Sequence, residues 1–193
     1  KDENSAFKPR SPYGAAKVFA HQIANHYREA YNIFACCGIL FNHESSFRGL
    51  EFVTRRISWN LARIKFKKIE KFTLGNIHAR RDWGFAGDYV ESMWLMLQQD
   101  KPDDYVIATG ESHSVEEFLT LASEYAGLGD WHDFVEIDES NMRPTDIDEL
   151  IGDSSKAREQ LGWKPKMKFN DIVKHMVEYD MNYFKLRIEQ FGN

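Results

Sequence analysis

Residues 34–49 read FACCGILFNHESSFRG, an apolar run that passes without a break into a cluster of polar and charged side chains. The run Phe34–Phe41 has the length of a short strand, and the polar cluster follows its carboxyl end. Helical periodicity lies on both sides of it, over residues 12–31 and about 52–68, and returns at 87–99, 114–127 and 170–190. Further short apolar stretches, FTLG, YVIA and FVEI, fall between these helices. Helices alternating with short strands specify an α/β architecture with parallel pairing. In such folds the positions just past strand ends carry ligand-binding groups, which draws attention to Asn42, His43, Glu44, Ser45 and Arg48.

Terminus signals agree with the periodicity. Ser11 followed by Pro12 opens the first helix. Ser114 with Glu117 three residues later forms a capping box, and Gly127 closes that helix. Another helix start is expected at Asp153, running to Gly162 before the breaker WKP. Neither an internal repeat nor a low-complexity linker interrupts the chain, so a single compact unit over 1–193 is expected.

Composition narrows the function classes. With 42% hydrophobic and 28% charged residues and a net charge of -5, the chain reads as an ordinary globular protein. The mild acidity argues against a nucleic-acid binder, and the basic stretch ARIKFKKIEK reads as the solvated side of a helix. No apolar run reaches membrane-spanning length and no signal peptide is evident, so no membrane partner and a cytoplasmic location are expected. Cys36 and Cys37 are the only cysteines. As strand neighbours they point to opposite faces, poorly placed to share one metal or to bridge, and they read as buried small hydrophobes. The histidines lack metal-ligand spacing, so no metal is expected.

At the start of the first helix, SPYGAAK (11–17) sets Tyr13 and Lys17 on one face, one turn apart. An ammonium there favours phenolate and makes Tyr13 a candidate acid/base. A four-residue spacing is a common chance event in a chain with eight tyrosines, so taken alone it is weak evidence and a plain helix surface is the stronger reading. Arg81 and Arg143, on separate loops, and Asp146 near the second are candidates for holding a phosphate or diphosphate. The bland reading of these arginines is surface charge or ion pairs with Asp82 or Asp148.

The ordered segments PRSPYGAAK, GILFNHES, FVTR, RRDWG, DYVESMWLMLQ, DYVIATG, RPTDID and LGWKP closely resemble the GDP-mannose 4,6-dehydratase family of extended short-chain dehydrogenases/reductases, over almost all 193 residues. The resemblance implies the C-terminal part of a Rossmann-like doubly wound sheet plus a smaller substrate-binding α/β lobe. Residues of about 1–44 and 87–110 would belong to the Rossmann side, and about 45–86 and 111–193 mainly to the GDP-sugar lobe. It implies NADP as cofactor, GDP-mannose as substrate, and self-association as a dimer or tetramer. Tyr13 would deprotonate the 4-hydroxyl of the sugar, and Lys17 would hold the nicotinamide ribose and tune Tyr13. Leu40, His43 and Arg48 fall on cofactor positions with Tyr13 and Lys17. Asn42, Arg56, Gly75, Arg81, Arg143 and Asp146 fall on substrate positions.

The polar opening KDENSAFKPR looks like a loop within a longer polypeptide. The family's Gly-rich pyrophosphate turn, and a Thr or Ser with a Glu that serves the elimination, would precede Lys1, so this chain alone is expected to be incomplete for catalysis. Other departures are Ser46-Phe47-Arg48 for Pro-Arg-Arg, Arg56 for lysine, Asp146 for glutamate, Phe85 for histidine, and a shorter stretch between Trp131 and Asn141. Two alternatives stay open: an epimerase or dehydratase of another nucleotide sugar, and a non-catalytic homologue that binds such a sugar or serves as a subunit.

Overall fold

The computed structural model describes residues 1–138, 140 and 149–191. Its first helix, α1 (Pro12–Tyr31), starts where Ser11 Oγ accepts from the Gly14 N–H at 3.0 Å and stops at Asn32, whose φ of 53° turns the chain out of the helix. The chain returns as β1 (Cys37–Leu40), β2 (Asn42–Glu44), α2 (Val53–Lys65), β3 (Phe72–Leu74), β4 (Arg80–Arg81), β5 (Trp83–Phe85), α3 (Ala86–Met96), β6 (Asp104–Ile107), β7 (His113–Ser114) and α4 (Val115–Ala126). It continues through a 3-10 turn at Trp131–Asp133 to β8 (Val135–Ile137), β9 (Glu149–Leu150), α5 (Ser155–Leu161) and α6 (Phe169–Phe191).

Parallel pairing dominates, as the α/β reading requires. β1 pairs with β6 in the register Leu40 to Ile107, β2 with β5 as His43 to Gly84, and β3 with β8 as Leu74 to Ile137. β4 lies between β7, antiparallel, and β9, parallel. Three of these pairings correct the sequence reading: Asn42–Glu44, Arg80–Arg81 and Trp83–Phe85 are short strands, where loops were expected. Helix ends shift by a residue or three. The helix expected from Asp153 begins at Ser155, because the Asp153 carboxylate accepts from the Ser155 N–H at 2.9 Å and so folds the preceding turn.

The main core joins α2, α4 and α6 over β3 and β8, with Ile57, Leu61, Phe118, Leu119, Val173 and Met176 removed from solvent. A second cluster joins Tyr89 of α3 and Tyr105 and Ile107 of β6 to Ala157, Leu161 and Trp163. Burying several such side chains, each contributing roughly 1.5–3 kcal/mol, holds α5 onto the β1–β6 pair. The motifs DYVE and GWKP meet there: Trp163 Nε1 donates to the Asp88 carbonyl at 2.8 Å, and the Asp88 carboxylate accepts the Lys166 and Met167 N–H groups. Their specificity as sequence is therefore structural in origin.

Helix α1 differs from the rest, since none of its residues is buried. Phe19, Ile23, Tyr27 and Tyr31 stay exposed. Its polar side chains fasten it instead: Arg28 is ion-paired with Asp104 and donates to the Ala35 carbonyl at 2.7 Å. Cys36 and Cys37 correct another expectation, being half-buried rather than core residues. Burial, then the neighbouring Asp104, pushes the Cys37 thiol up to about 11.

Candidate functional site

Tyr13 lies in the first turn of α1 with 72% of its surface exposed. The local helix carries Lys17 into the next turn, and its Nζ sits 5.4 Å from the Tyr13 ring centroid, as the spacing required. A phenol and an ammonium are thus displayed together on an accessible surface.

The segment after β1 supplies a second group. Leu40 ends β1 half-buried. Asn42 and His43 are on β2, aligned with Trp83 and Gly84 of β5, whereas Arg81 is on β4, which pairs with β7 and β9. His43 Nδ1 donates to the Phe41 carbonyl at 2.9 Å, which fixes the ring. Tyr89 packs against that ring at 5.1 Å between centroids.

Glu44 is 1% exposed, bonded by the Thr54 hydroxyl and 3.4 Å from Arg48 Nε. Burial raises its carboxyl to about 7, against the lowering effects of Thr54 and Arg48. Arg48 also stacks its guanidinium on Phe52, 3.5 Å from the ring centroid. The neighbour Phe47 projects 87% exposed into solvent. Arg55 completes the turn's support by donating to the Ser46 and Arg48 carbonyls.

Arg56 and Gly75 come together by a different route. Arg56, half-buried on α2, reaches Thr73 on β3 with Nη2 3.5 Å from Oγ1, and Gly75 follows β3 directly. Arg81 donates from Nη1 to the Arg80 carbonyl at 2.8 Å. Arg143 and Asp146 lie outside the described residues, as does Asp148.

Asp82 is a residue whose role sequence reasoning missed. It is fully buried and accepts from the Thr109 N–H (2.9 Å) and hydroxyl (2.6 Å), the Gly110 N–H (2.9 Å) and the Gly152 N–H (3.2 Å). It thereby binds the ends of β5, β6 and β9 behind the Arg81 region. Thr109, Gly110 and Gly152 are distant in sequence, so a composition or spacing signal for this hub does not exist.

Comparisons with known proteins bear on this arrangement. The sequence profile of a family described as GDP-mannose 4,6 dehydratase matches residues 1–176. GDP-mannose 4,6 dehydratase 1 of Arabidopsis thaliana is 59% identical over 185 residues, covering 96% of this chain and 51% of that protein. The Cricetulus griseus GDP-mannose 4,6 dehydratase is 48% identical over 201 residues, covering 95% of this chain and 54% of that protein. The chain spans about half the length of the curated relatives it matches. Among solved structures, that of RMD from Pseudomonas aeruginosa complexed with NADPH superimposes with a TM-score of 0.86 at 18% identity, over 94% of this chain and 60% of that one. That likeness establishes the fold, part of a Rossmann-type α/β architecture.

Proposed function

Because the chain belongs to the GDP-mannose 4,6-dehydratase family, we propose that it forms part of an enzyme that dehydrates GDP-mannose to GDP-4-dehydro-6-deoxy-mannose with bound NADP. The observation that carries the reading is the 59% identity sustained along 96% of the chain. The geometry supports it. Tyr13 and Lys17 are accessible to an outside molecule and lie within one turn. His43 presents a fixed ring, and Arg48 holds a planar guanidinium against Phe52.

These residues suit NADP: Lys17 would hold the nicotinamide ribose, with Leu40, His43 and Arg48 along the cofactor. NADP, when bound, would supply the acceptor and donor for a hydride passing from carbon 4 of the sugar to carbon 6. In this scheme Tyr13 would take the proton of the 4-hydroxyl, with the Lys17 ammonium one helical turn away. Asn42, Arg56, Gly75 and Arg81 would position the GDP moiety, joined by Arg143 and Asp146. Arg56 brings a fork of donors where a single ammonium would act as a point charge, so its hold on a phosphate is directional. The division into a Rossmann side (1–44 and 87–110) and a sugar lobe (45–86 and 111–193) belongs to the same proposal. So does self-association, which the exposed apolar side chains of α1 support.

The test uses the full-length polypeptide with NADP and GDP-mannose, following product by NMR. Tyr13→Phe should reduce turnover by roughly 10²–10⁴-fold while GDP-mannose still binds, because the phenol acts on a proton in the transition state. Unchanged turnover in that variant, or equal affinity for UDP- and dTDP-sugars by titration calorimetry, would overturn the reading.

A further inference from the structure

Three described side chains from three separate elements converge beneath α1: His21 of the helix, Cys37 at the start of β1 and Asp104 at the start of β6. Their ligand atoms all lie within 4.8 Å of one another, and each residue is half-buried. Asn25, one helical turn beyond His21, touches two of them. Its Nδ2 is 3.1 Å from His21 Nε2, and its Oδ1 is 3.8 Å from Cys37 Sγ. We propose that His21, Cys37 and Asp104, with Asn25 or a water at the fourth vertex, bind one divalent cation of the zinc class.

The donor set fits that ion. One imidazole, one thiolate and one carboxylate are the ligand types a tetrahedral zinc takes. With zinc–ligand bonds of about 2.0–2.3 Å, the ligand atoms of a tetrahedron stand about 3.3–3.6 Å apart. His21 Nε2 and Asp104 Oδ2 are already 3.5 Å apart, so this edge needs no rearrangement. The two oxygens of Asp104 have divided roles. Oδ1 takes the Arg28 guanidinium and the Cys37 N–H, whereas Oδ2 faces His21. Hydrogen bonds of this kind on the outer oxygen orient a ligating carboxylate. On binding, Cys37 would exchange its thiol proton for the cation. Two anionic donors would then face the ion, with Arg28 paired to the outer oxygen of Asp104.

The location gives such an ion work to do. His21 is eight residues from Tyr13, about 12 Å along the helix, so the cluster is separate from the Tyr13–Lys17 pair. Helix α1 buries no residue of its own, and a cation shared among α1, β1 and β6 would clamp it to the strands. The rival reading is a hydrogen-bonded corner that needs no ion, and the following experiment separates the two.

The full chain, stripped with chelator, is titrated with cobalt(II) and then with zinc. One cobalt per chain with a thiolate-to-cobalt charge-transfer band is expected, displaced by zinc, with a rise in the thermal midpoint. The band should survive Cys36→Ser, disappear in Cys37→Ser, and His21→Gln should weaken binding at least about tenfold. Absence of the band in the unaltered chain, its persistence in Cys37→Ser, or unchanged affinity in His21→Gln overturns the proposal. If Cys37→Ser does not fold, the Cys36→Ser protein decides: only two cysteines exist, so a surviving band comes from Cys37 and its loss refutes the assignment.

Discussion

Arg55 clasps Asp180 with two parallel bonds, Nε to Oδ2 at 3.1 Å and Nη2 to Oδ1 at 2.6 Å, and so fixes α2 against α6. The Ser58 hydroxyl adds a third bond to Oδ2 at 2.6 Å. Asp180 is fully buried, so its removal strands the guanidinium in the core. Asp180→Ala should cost about 3–5 kcal/mol in urea unfolding. The Arg55→Met, Asp180→Leu double variant should lose less than the single one, since neither charge is then left alone. Equal losses would show that the pair contributes through packing alone.

Asp82 gathers four donors from two chain segments, Thr109–Gly110 and Gly152. Asparagine keeps the size but offers one acceptor oxygen, and turns an NH₂ toward N–H groups. Asp82→Asn should therefore destabilise by about 2–3 kcal/mol, the range for a lost bond to a charged acceptor. Amide exchange should rise first at Gly110 and Gly152. Uniform exchange across the chain would rule out Asp82 as the local fastener.

The part of this fold that was legible in the sequence is the part set by local geometry. Ser114 caps α4 by accepting the Glu117 N–H at 3.0 Å, and Gly127 ends it with φ +62°, both as the spacing of those residues requires. Tyr13 and Lys17 meet because helix pitch alone places them. What stayed hidden depends on distant partners. NHE, RR and WGF are too short to show a strand period, and they become strands only through β5, β7, β9 and β2. Arg56 reaches Thr73, and Asp104 gathers Arg28 and Cys37, by tertiary approach that no spacing rule encodes.

Gly84 makes the packing beside His43 sensitive to a single methyl group. A Cβ there would stand 2.3 Å from Tyr89 Cε2 and 2.6 Å from its hydroxyl oxygen. Tyr89 cannot withdraw easily, being fully buried edge-on to Trp163 at 5.9 Å and tilted against His43. Gly84→Ala should destabilise by about 1–3 kcal/mol and move the His43 ring resonances in NMR spectra. A variant as stable as the parent, with unshifted His43 signals, would show that this contact relaxes without cost.

Glu44 predicts how stability follows pH. Its carboxyl is raised from 4.5 to about 7 by burial, so between those values the folded chain holds a proton that the unfolded chain has released. Stability then falls as pH rises. The contribution is whole below the unfolded value of 4.5 and is lost as pH climbs through the folded value near 7. From pH 5 to pH 8 this amounts to about 2–3 kcal/mol. Glu44→Gln keeps an acceptor for the Thr54 hydroxyl and removes the titration. Urea unfolding across that range should show the parent losing about 2–3 kcal/mol relative to the variant, with the difference concentrated above pH 5. Parallel curves would mean that Glu44 stays ionised throughout, held by Arg48 at 3.4 Å more firmly than burial opposes it.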